Sequence, residues 1–327
     1  MTGVRGAWGV VRRAVPLLLL LPAYPPTRLP AQTRLTVFNA GSLGRPLREA
    51  LDSFAAQEQG VEVAQENAGS LESARKLTEL GKIPDVIALA DEAVFPALLI
   101  PRFTGWDVAF ARNEMVLAFT DRSVGAAEIT PANWTAILLR PGVRIGRSDP
   151  ALDPNGYRAL LVCQLEERRA HAPGLAARLL AAMPERYMRP KEADLVALVQ
   201  TGDLDYAWSY RSVAQTAGLR YVDLPPEVDL SDPTRAALYA TASVMIPGAG
   251  ARRAPDGPRD TLALHGTPIL YALSIPRDAP QAGLARRFVT WLLGPAGRAI
   301  LLRDGFTLVE HPIAAGDAPP WVAALTH

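Results

Sequence analysis

Val-Phe-Asn-Ala-Gly-Ser-Leu, residues 37–43, is the stretch that decides the fold. An apolar strand pattern ends there in the turn Gly41-Ser42, and a helix pattern follows. Because the first N–H groups of a helix are unpaired and lie at the positive end of its dipole, such a turn can hold an anion together with the serine hydroxyl. The same turn recurs at Gly69-Ser70, again before a helix pattern. We predict that both turns contact one anionic ligand; ordinary helix capping by Gly-Ser pairs is the alternative.

The composition is that of a globular chain of 327 residues, which is long enough for two lobes. Its 34 basic and 33 acidic residues leave a net charge of +1, and no basic block interleaved with aromatic residues occurs. We therefore expect no nucleic-acid-binding surface. Cys163 is the single cysteine, which rules out an internal disulfide and a cysteine-rich metal site. Its apolar, helix-like surroundings predict a buried structural thiol.

Residues 1–31 have the pattern of a secretory signal peptide. Arg12 and Arg13 precede an apolar run at residues 14–21, and a Pro-rich stretch ends at Ala31. The run is short for a transmembrane helix, and an uncleaved N-terminal anchor is the alternative. An arginine pair is also a weak indication of twin-arginine export. We therefore expect a periplasmic, extracytoplasmic protein.

Strand and helix patterns alternate through the rest of the chain, which is typical of α/β sheets with ligand sites at the carboxyl ends of the strands. The alternation includes a strand at residues 113–120 and a Pro-rich connection before residue 188, and a loop is expected at 249–260. Two hinge strands that cross between two lobes are expected near residues 111–119 and 266–275. The pattern thus predicts a hinge-closing α/β binding protein with its ligand in the interlobe cleft. The predicted division is a signal peptide at 1–31, a first lobe at 32–112 and 268–327, and a second lobe at 113–267.

Three further residues fall at turns where open α/β sheets place ligand contacts. Asp153 lies in Asp-Pro-Asn-Gly-Tyr-Arg at a strand-to-helix turn, Glu192 lies in Arg-Pro-Lys-Glu at a helix start, and Tyr210 ends a strand. Each also has a structural explanation. Asp153 suits a helix cap, Glu192 suits the first turn of a helix as a partner for its dipole, and Tyr210 suits an amphipathic strand end.

Five motifs in order resemble the molybdate/tungstate-binding proteins of ABC importers, in particular the archaeal-type branch of the WtpA/ModA family. The resemblance extends from about residue 35 to about residue 320. The motifs are Val-Phe-Asn-Ala-Gly-Ser-Leu, Ala-Gly-Ser-Leu-Glu-Ser-Ala-Arg-Lys, Phe-Ala-Arg-Asn-Glu-Met-Val-Leu-Ala-Phe-Thr-Asp, Asp-Pro-Asn-Gly-Tyr-Arg and Arg-Pro-Lys-Glu-Ala-Asp-Leu. The resemblance implies a type II-like periplasmic binding protein, expected to be monomeric, that delivers its oxyanion to a membrane permease. It implies no cofactor and no catalysis.

The resemblance also assigns roles to individual residues. Ser42 and Ser70 match the two serines that hold the oxyanion, and Tyr210 matches the pocket tyrosine. Asp153 and Glu192 match two carboxylates that coordinate the metal of the oxyanion and raise it to six-coordinate. Carboxylates beside a dianion would otherwise repel it, whereas a high-valent metal prefers oxygen ligands. Sulfate and phosphate cannot expand their coordination in this way, so we expect selectivity by coordination as well as by size. Buried donors supply the remaining contacts, so no arginine or lysine is needed in the site.

Other functions remain open from the residues alone. The same architecture could bind another anion, such as sulfate, phosphate or an organic anion, which would leave Asp153 and Glu192 unexplained. Ferric iron would want paired tyrosines, and Tyr206 and Tyr210 share a face of the predicted strand. An enzyme is disfavoured because the four histidines show no His-x-x-x-His spacing and no Gly-x-Ser-x-Gly turn occurs.

Overall fold

The computed structural model describes residues 33–247 and 261–325, together with Thr2, Gly3 and Gly6. Two mixed sheets, one of six strands and one of five, carry the architecture, and a two-stranded sheet accompanies them. In chain order the strands are β1 Thr33–Ala40, β2 Val61–Ala68, β3 Val86–Leu89, β4 Trp106–Arg112, β5 Met115–Phe119, β6 Ile145–Ser148, β7 Met188–Arg189, β8 Tyr206–Tyr210, β9 Arg220–Asp223, β10 Ser243–Pro247, β11 Thr261–His265, β12 Leu270–Ser274 and β13 Thr307–Gly316. The α-helices are α1 Gly44–Ala55, α2 Ser70–Leu80, α3 Trp134–Leu138, α4 Pro154–Arg169, α5 Leu175–Ala181, α6 Ala193–Thr201, α7 Arg211–Thr216, α8 Ala236–Tyr239, α9 Ala282–Leu293, α10 Pro295–Arg303 and α11 Pro320–Ala323.

The six-stranded sheet has the strand order β13-β4-β12-β3-β1-β2. β1 runs parallel to β2 and β3, because α1 and α2 return the chain to the same end of the sheet. Leu47, Leu51 and Phe54 repeat at helical spacing on α1 and pack in the same core as Val37 of β1. Since Ala40 pairs with Ala68, the two Gly-Ser turns leave the sheet side by side.

The five-stranded sheet has the strand order β7-β6-β8-β5-β9. β6 runs parallel to both β7 and β8, so the carboxyl ends of these three strands share one edge. Asp153 follows β6, Glu192 follows β7, and Tyr210 ends β8. The three predicted site residues of this part of the chain therefore lie at one edge of one sheet.

The chain passes between the two sheets twice. The first crossing is short, because β4 of the six-stranded sheet ends at Arg112 and β5 of the five-stranded sheet begins at Met115. The return runs through residues 266–269, between β11 and β12. Both crossings lie inside the predicted ranges, where residues 113–114 and 266–269 are connections between strands. The lobe limits themselves remain a prediction, although every strand of the six-stranded sheet falls within 32–112 or 268–327.

Several elements differ from the expectation, among them the following three. The strand expected at residues 113–120 is β5, and the apolar segment before it forms a separate strand, β4, that pairs in the other sheet. The Pro-rich connection contains the helix α5. β13 was not predicted because it contains Pro312 and several polar residues. It is an edge strand, where a missing N–H is tolerated.

Two predictions fall outside the described residues. These are the loop at 249–260 and, apart from Thr2, Gly3 and Gly6, the signal peptide at 1–31. Within the described part of the chain, no helix is both long enough and apolar enough to cross a membrane.

Candidate functional site

Ser42 and Ser70 follow β1 and β2 at the same edge of the six-stranded sheet. The Ser42 Oγ accepts a hydrogen bond from the Tyr271 hydroxyl at 2.9 Å, and the Ser70 Oγ accepts one from the Ala90 N–H at 2.9 Å. Within residues 33–247 and 261–325, neither serine hydroxyl has an acceptor for its own proton. Each serine oxygen already accepts from a fixed donor, so both hydroxyls can donate to a ligand.

Tyr210 supplies a third hydroxyl of this kind. Its oxygen accepts a hydrogen bond from Arg158 Nη1 at 2.8 Å. Burial raises the pKa of Tyr210 well above its ordinary value, so the phenol is neutral and keeps its proton. The Tyr210 ring packs edge-on against Tyr271 with the ring centroids 6.0 Å apart. Tyr210 therefore lies next to the tyrosine that binds Ser42.

Asp153 and Glu192 are joined by a direct hydrogen bond. Asp153 Oδ2 accepts from the Glu192 N–H at 2.7 Å, while its Oδ1 caps α4 by accepting from the Asn155 N–H at 3.1 Å. Glu192 Oε1 accepts from the Ser209 hydroxyl at 2.6 Å and from the Tyr210 N–H at 2.5 Å. Glu192 is only 2 % exposed, yet its Oε2 has no hydrogen-bond partner among the described residues. Helix capping thus explains one of the two hydrogen bonds of the Asp153 side chain, but the Glu192 side chain makes no capping hydrogen bond.

Both carboxyl groups lie in surroundings that disfavour their charge. Burial raises the pKa of Asp153 to about 6, against the lowering effect of its hydrogen bonds from the backbone of Glu192 and Asn155. Burial also raises the pKa of Glu192 to about 8, and the negative charge of Asp153 adds to this rise. Each carboxyl group therefore keeps its proton to a higher pH than an exposed carboxyl group would, and Glu192 does so more than Asp153.

Arg158 on α4 is a buried cation beside these groups, 1 % exposed. It donates to the Ala90 carbonyl at 2.7 Å and pairs with Asp91 Oδ2 at 3.2 Å. The Tyr157 hydroxyl donates to the same Asp91 oxygen. We expected that the site needs no arginine, but the structure places one in contact with Tyr210. Its charge also lowers the pKa of both Asp153 and Glu192.

The two edges that carry these residues are in contact. The Glu72 N–H, in the first turn of α2, donates to the Leu152 carbonyl at 3.1 Å. Arg75 donates to the carbonyl of Ala151. A Cβ atom built on Gly69 would lie 2.2 Å from the Leu152 oxygen, so only glycine permits this approach. The Gly41 position has ordinary contacts with Lys191 and Ala193. The arrangement is that of a closed cleft, with both Gly-Ser turns facing Asp153 and Glu192 across it.

The tyrosine pair considered for ferric iron does not converge. The Tyr206 hydroxyl donates to the Val124 carbonyl at 2.6 Å, whereas the Tyr210 hydroxyl binds Arg158. Among the described residues, no group of three or more His, Cys, Asp or Glu side chains is arranged to hold a metal ion.

Sequence reasoning missed three residues that organise the site. Tyr271 lies on the strand that follows the second crossing, and Asn113 lies in the first crossing. Asn113 Nδ2 donates to Ser212 Oγ at 2.7 Å and to the Tyr271 hydroxyl at 3.4 Å. No local sequence pattern identifies Tyr271 or Asn113 as site residues. Arg158 could have been identified, because it is the last residue of the Asp-Pro-Asn-Gly-Tyr-Arg motif.

A two-lobed α/β arrangement with a closed, donor-rich cleft defines a solute-binding protein. Residues 35–307 match the family of bacterial extracellular solute-binding proteins, and this chain belongs to that family. The family is one of binding proteins rather than enzymes.

Two relatives are similar over most of their length. An uncharacterized solute-binding protein of Petrotoga mobilis is 41 % identical over 85 % of this chain and 84 % of its own. The molybdate/tungstate-binding protein WtpA of Pyrococcus abyssi is 34 % identical over 89 % of each. The resemblance inferred from the five motifs is therefore confirmed.

Solved structures share the fold at low sequence identity. The sulfate-binding protein SubI of Mycobacterium tuberculosis superposes with a TM-score of 0.60 at 15 % identity, covering 89 % of this chain and 90 % of its own. The periplasmic molybdate-binding protein of Azotobacter vinelandii gives a TM-score of 0.59 at 18 % identity, covering 84 % and 100 %. The predicted fold class is confirmed by these likenesses, which do not select a ligand.

Proposed function

We propose that this protein captures tungstate or molybdate outside the cytoplasm and delivers it to the permease of an ABC importer. Export would depend on residues 1–31, and the metal oxyanion is cargo rather than a resident cofactor. The observation that carries the proposal is the unpartnered Glu192 Oε2, buried next to Asp153 in a cleft with three available hydroxyl protons. The similarity to WtpA of Pyrococcus abyssi supports the same ligands.

The hydroxyl groups suit an oxyanion that only accepts hydrogen bonds. Ser42, Ser70 and Tyr210 each have their oxygen engaged by another donor and their proton available. Molybdate and tungstate are dianions with four acceptor oxygens, so they match such a set without a lysine or arginine in direct contact. Sulfate would match these donors equally well, so the hydroxyls alone do not select the metal oxyanions.

The two carboxyl groups provide the discrimination. Ionised carboxylates next to sulfate would only repel it, and a protonated Glu192 would add one donor. Towards a molybdenum or tungsten centre, Glu192 Oε2 and Asp153 can instead act as oxygen ligands. A proton held by either carboxyl group would then leave when the anion binds, because a coordinating carboxyl group is deprotonated.

The test is isothermal titration of ligand-stripped protein with tungstate, molybdate, sulfate and phosphate in parallel. We expect one-to-one binding of tungstate and molybdate, with sulfate and phosphate at least 100-fold weaker, about 2.7 kcal/mol. The isosteric variants Glu192→Gln and Asp153→Asn should lose most of this preference. Ser42→Ala should lower the affinity for all four anions.

Two outcomes would overturn the proposal. If sulfate bound as tightly as tungstate, the protein would be a general oxyanion receptor and the carboxyl groups would have another role. If none of the four bound, the ligand would have to be sought among organic anions and ferric iron. If Glu192→Gln and Asp153→Asn each bound tungstate as tightly as the unchanged protein, coordination would be rejected as the source of selectivity.

A further inference from the structure

A second cavity of about 490 Å³ lies beside the return crossing of the chain, and none of the candidate site residues lines it. It is larger than the groove of about 380 Å³ that borders Ser42. Its walls are mainly apolar and include Pro96, Ile100, Pro268 and Leu270. Mostly apolar cavities of this size, with a few polar groups, are typical of small-molecule sites.

Asp107 on β4 lines this cavity and is the unusual residue in it. It is 1 % exposed, and its side chain has no hydrogen bond or ion pair with any described residue; its Oδ2 is fully buried and unsatisfied. Burial raises the pKa of Asp107 to about 7, and the negative charge of Glu92 contributes to the rise. A buried carboxylate without a partner destabilises the folded state, so this group is the most favourable place in the cavity for a positive charge.

The other charged groups of the cavity do not supply that positive charge. Asp91 and Glu92 also line it, and no Lys, Arg or His is among the described lining residues. Asp91 is already engaged by Arg158 and Tyr157. Glu92 is free to add to the negative potential around Asp107, and burial raises the pKa of Glu92 too. The cavity is therefore negative, and its described lining residues include no cationic side chain.

We propose that this cavity binds a small organic cation, an ammonium group on a short aliphatic chain, with the ammonium donating to Asp107. The apolar walls would bury the aliphatic part. A bare metal ion fits less well, because a metal needs several oxygen ligands and the described residues contain no cluster arranged to provide them. The proposal does not depend on the identity of the oxyanion in the cleft.

The test is titration of the full-length protein with n-butylammonium chloride at constant ionic strength. Binding is measured by calorimetry and by the change in melting temperature. We expect saturable one-to-one binding. Uncharged n-butanol, of the same length, should bind at least about tenfold more weakly, because it lacks the charge-assisted hydrogen bond. Asp107→Asn should lose the preference for the cation while folding normally, since it replaces an unpaired buried carboxyl group by a neutral isostere. Tungstate should not compete.

Asp304→Asn is the matched control. Asp304 is another buried carboxyl group with an oxygen that lacks a hydrogen bond, but it has Arg45 and Arg303 within 4 Å and lines the groove next to Ser42 instead. It should leave n-butylammonium binding unchanged. Three results would overturn the proposal: equal binding of n-butylammonium and n-butanol, unchanged cation binding by Asp107→Asn, or no saturable binding of the cation. Saturable binding of Mg²⁺ that Asp107→Asn abolishes would reassign the cavity to a metal.

Discussion

At the residue scale, Glu192 is held in a site that favours its neutral form. Its pKa is raised from 4.5 to about 8 by burial, with a contribution from Asp153. The folded state therefore binds a proton more tightly than the unfolded state does. This contribution to stability is fully present below about pH 4.5 and is lost as the pH rises through about 8.

A comparison of Glu192→Gln with the unchanged protein measures this effect. Urea denaturation of the ligand-free proteins should show the variant gaining stability relative to the parent between about pH 5 and about pH 8.5, because glutamine does not titrate. The gain should level off above that range. A stability difference that does not vary with pH would contradict a raised pKa for Glu192.

Gly69 is a residue at which the two sides of the cleft approach each other closely. A methyl group there would collide with the Leu152 carbonyl at 2.2 Å, while the backbone conformation of Gly69 is open to any residue. Gly69→Ala should therefore fold normally but fail to close fully, and should bind the oxyanion at least about tenfold more weakly. Gly283→Ala, which meets no atom within 4 Å, is the control. Equal anion affinity in both variants would show that closure tolerates the methyl group.

At the scale of the element, α4 is capped by Asp153 and contains Arg158, which forms a buried ion pair with Asp91. Removing one partner of a buried ion pair leaves the other charged and unpaired, which costs about 3 kcal/mol or more. Arg158→Met should therefore lower the free energy of unfolding by about that amount, and Asp91→Asn in the same chain should restore part of it.

The exposed pair of Arg220 with Asp121 provides the comparison for this prediction. The Arg220 side chain is 50 % exposed and the Asp121 side chain is 85 % exposed, so Arg220→Met should be much less costly. Urea denaturation of the four proteins gives the required differences. A loss for Arg158→Met no greater than that for Arg220→Met would show that the buried pair contributes little.

Elements with strong local patterns could be predicted, and elements defined by long-range pairing could not. α1, α9 and the buried strands β1 and β3 have clear periodicity. β13 depends on pairing with β4 across almost 200 residues of sequence, and its own residues show no strand alternation. The same distinction applies to the candidate site. Turn chemistry singled out Ser42, Ser70 and Asp153, but Tyr271 gains its role only by meeting Ser42, 229 residues away.

At the scale of the whole molecule, closure can be followed at a single amide. The Glu72 N–H lies in the first turn of α2, where no partner exists within the helix, and it bonds to Leu152 on the other side of the cleft. Its hydrogen exchange should slow markedly when tungstate closes the cleft. The next amide, Ser73, bonds to Gly69 on its own side and should change little. Equal protection of both amides with and without ligand would indicate a cleft that does not open.

The strand order of the six-stranded sheet also determines when this sheet can be completed while the chain is being synthesised. β4 lies between β12 and β13, so both of its neighbours leave the ribosome long after β4 itself. The five-stranded sheet is complete once β9 has emerged, whereas the six-stranded sheet stays unfinished until the last strand is made. During translation β4 thus presents two bare edges of the kind that invites aggregation. A nascent chain stopped before β12 should depend on chaperones, and the completed chain should not.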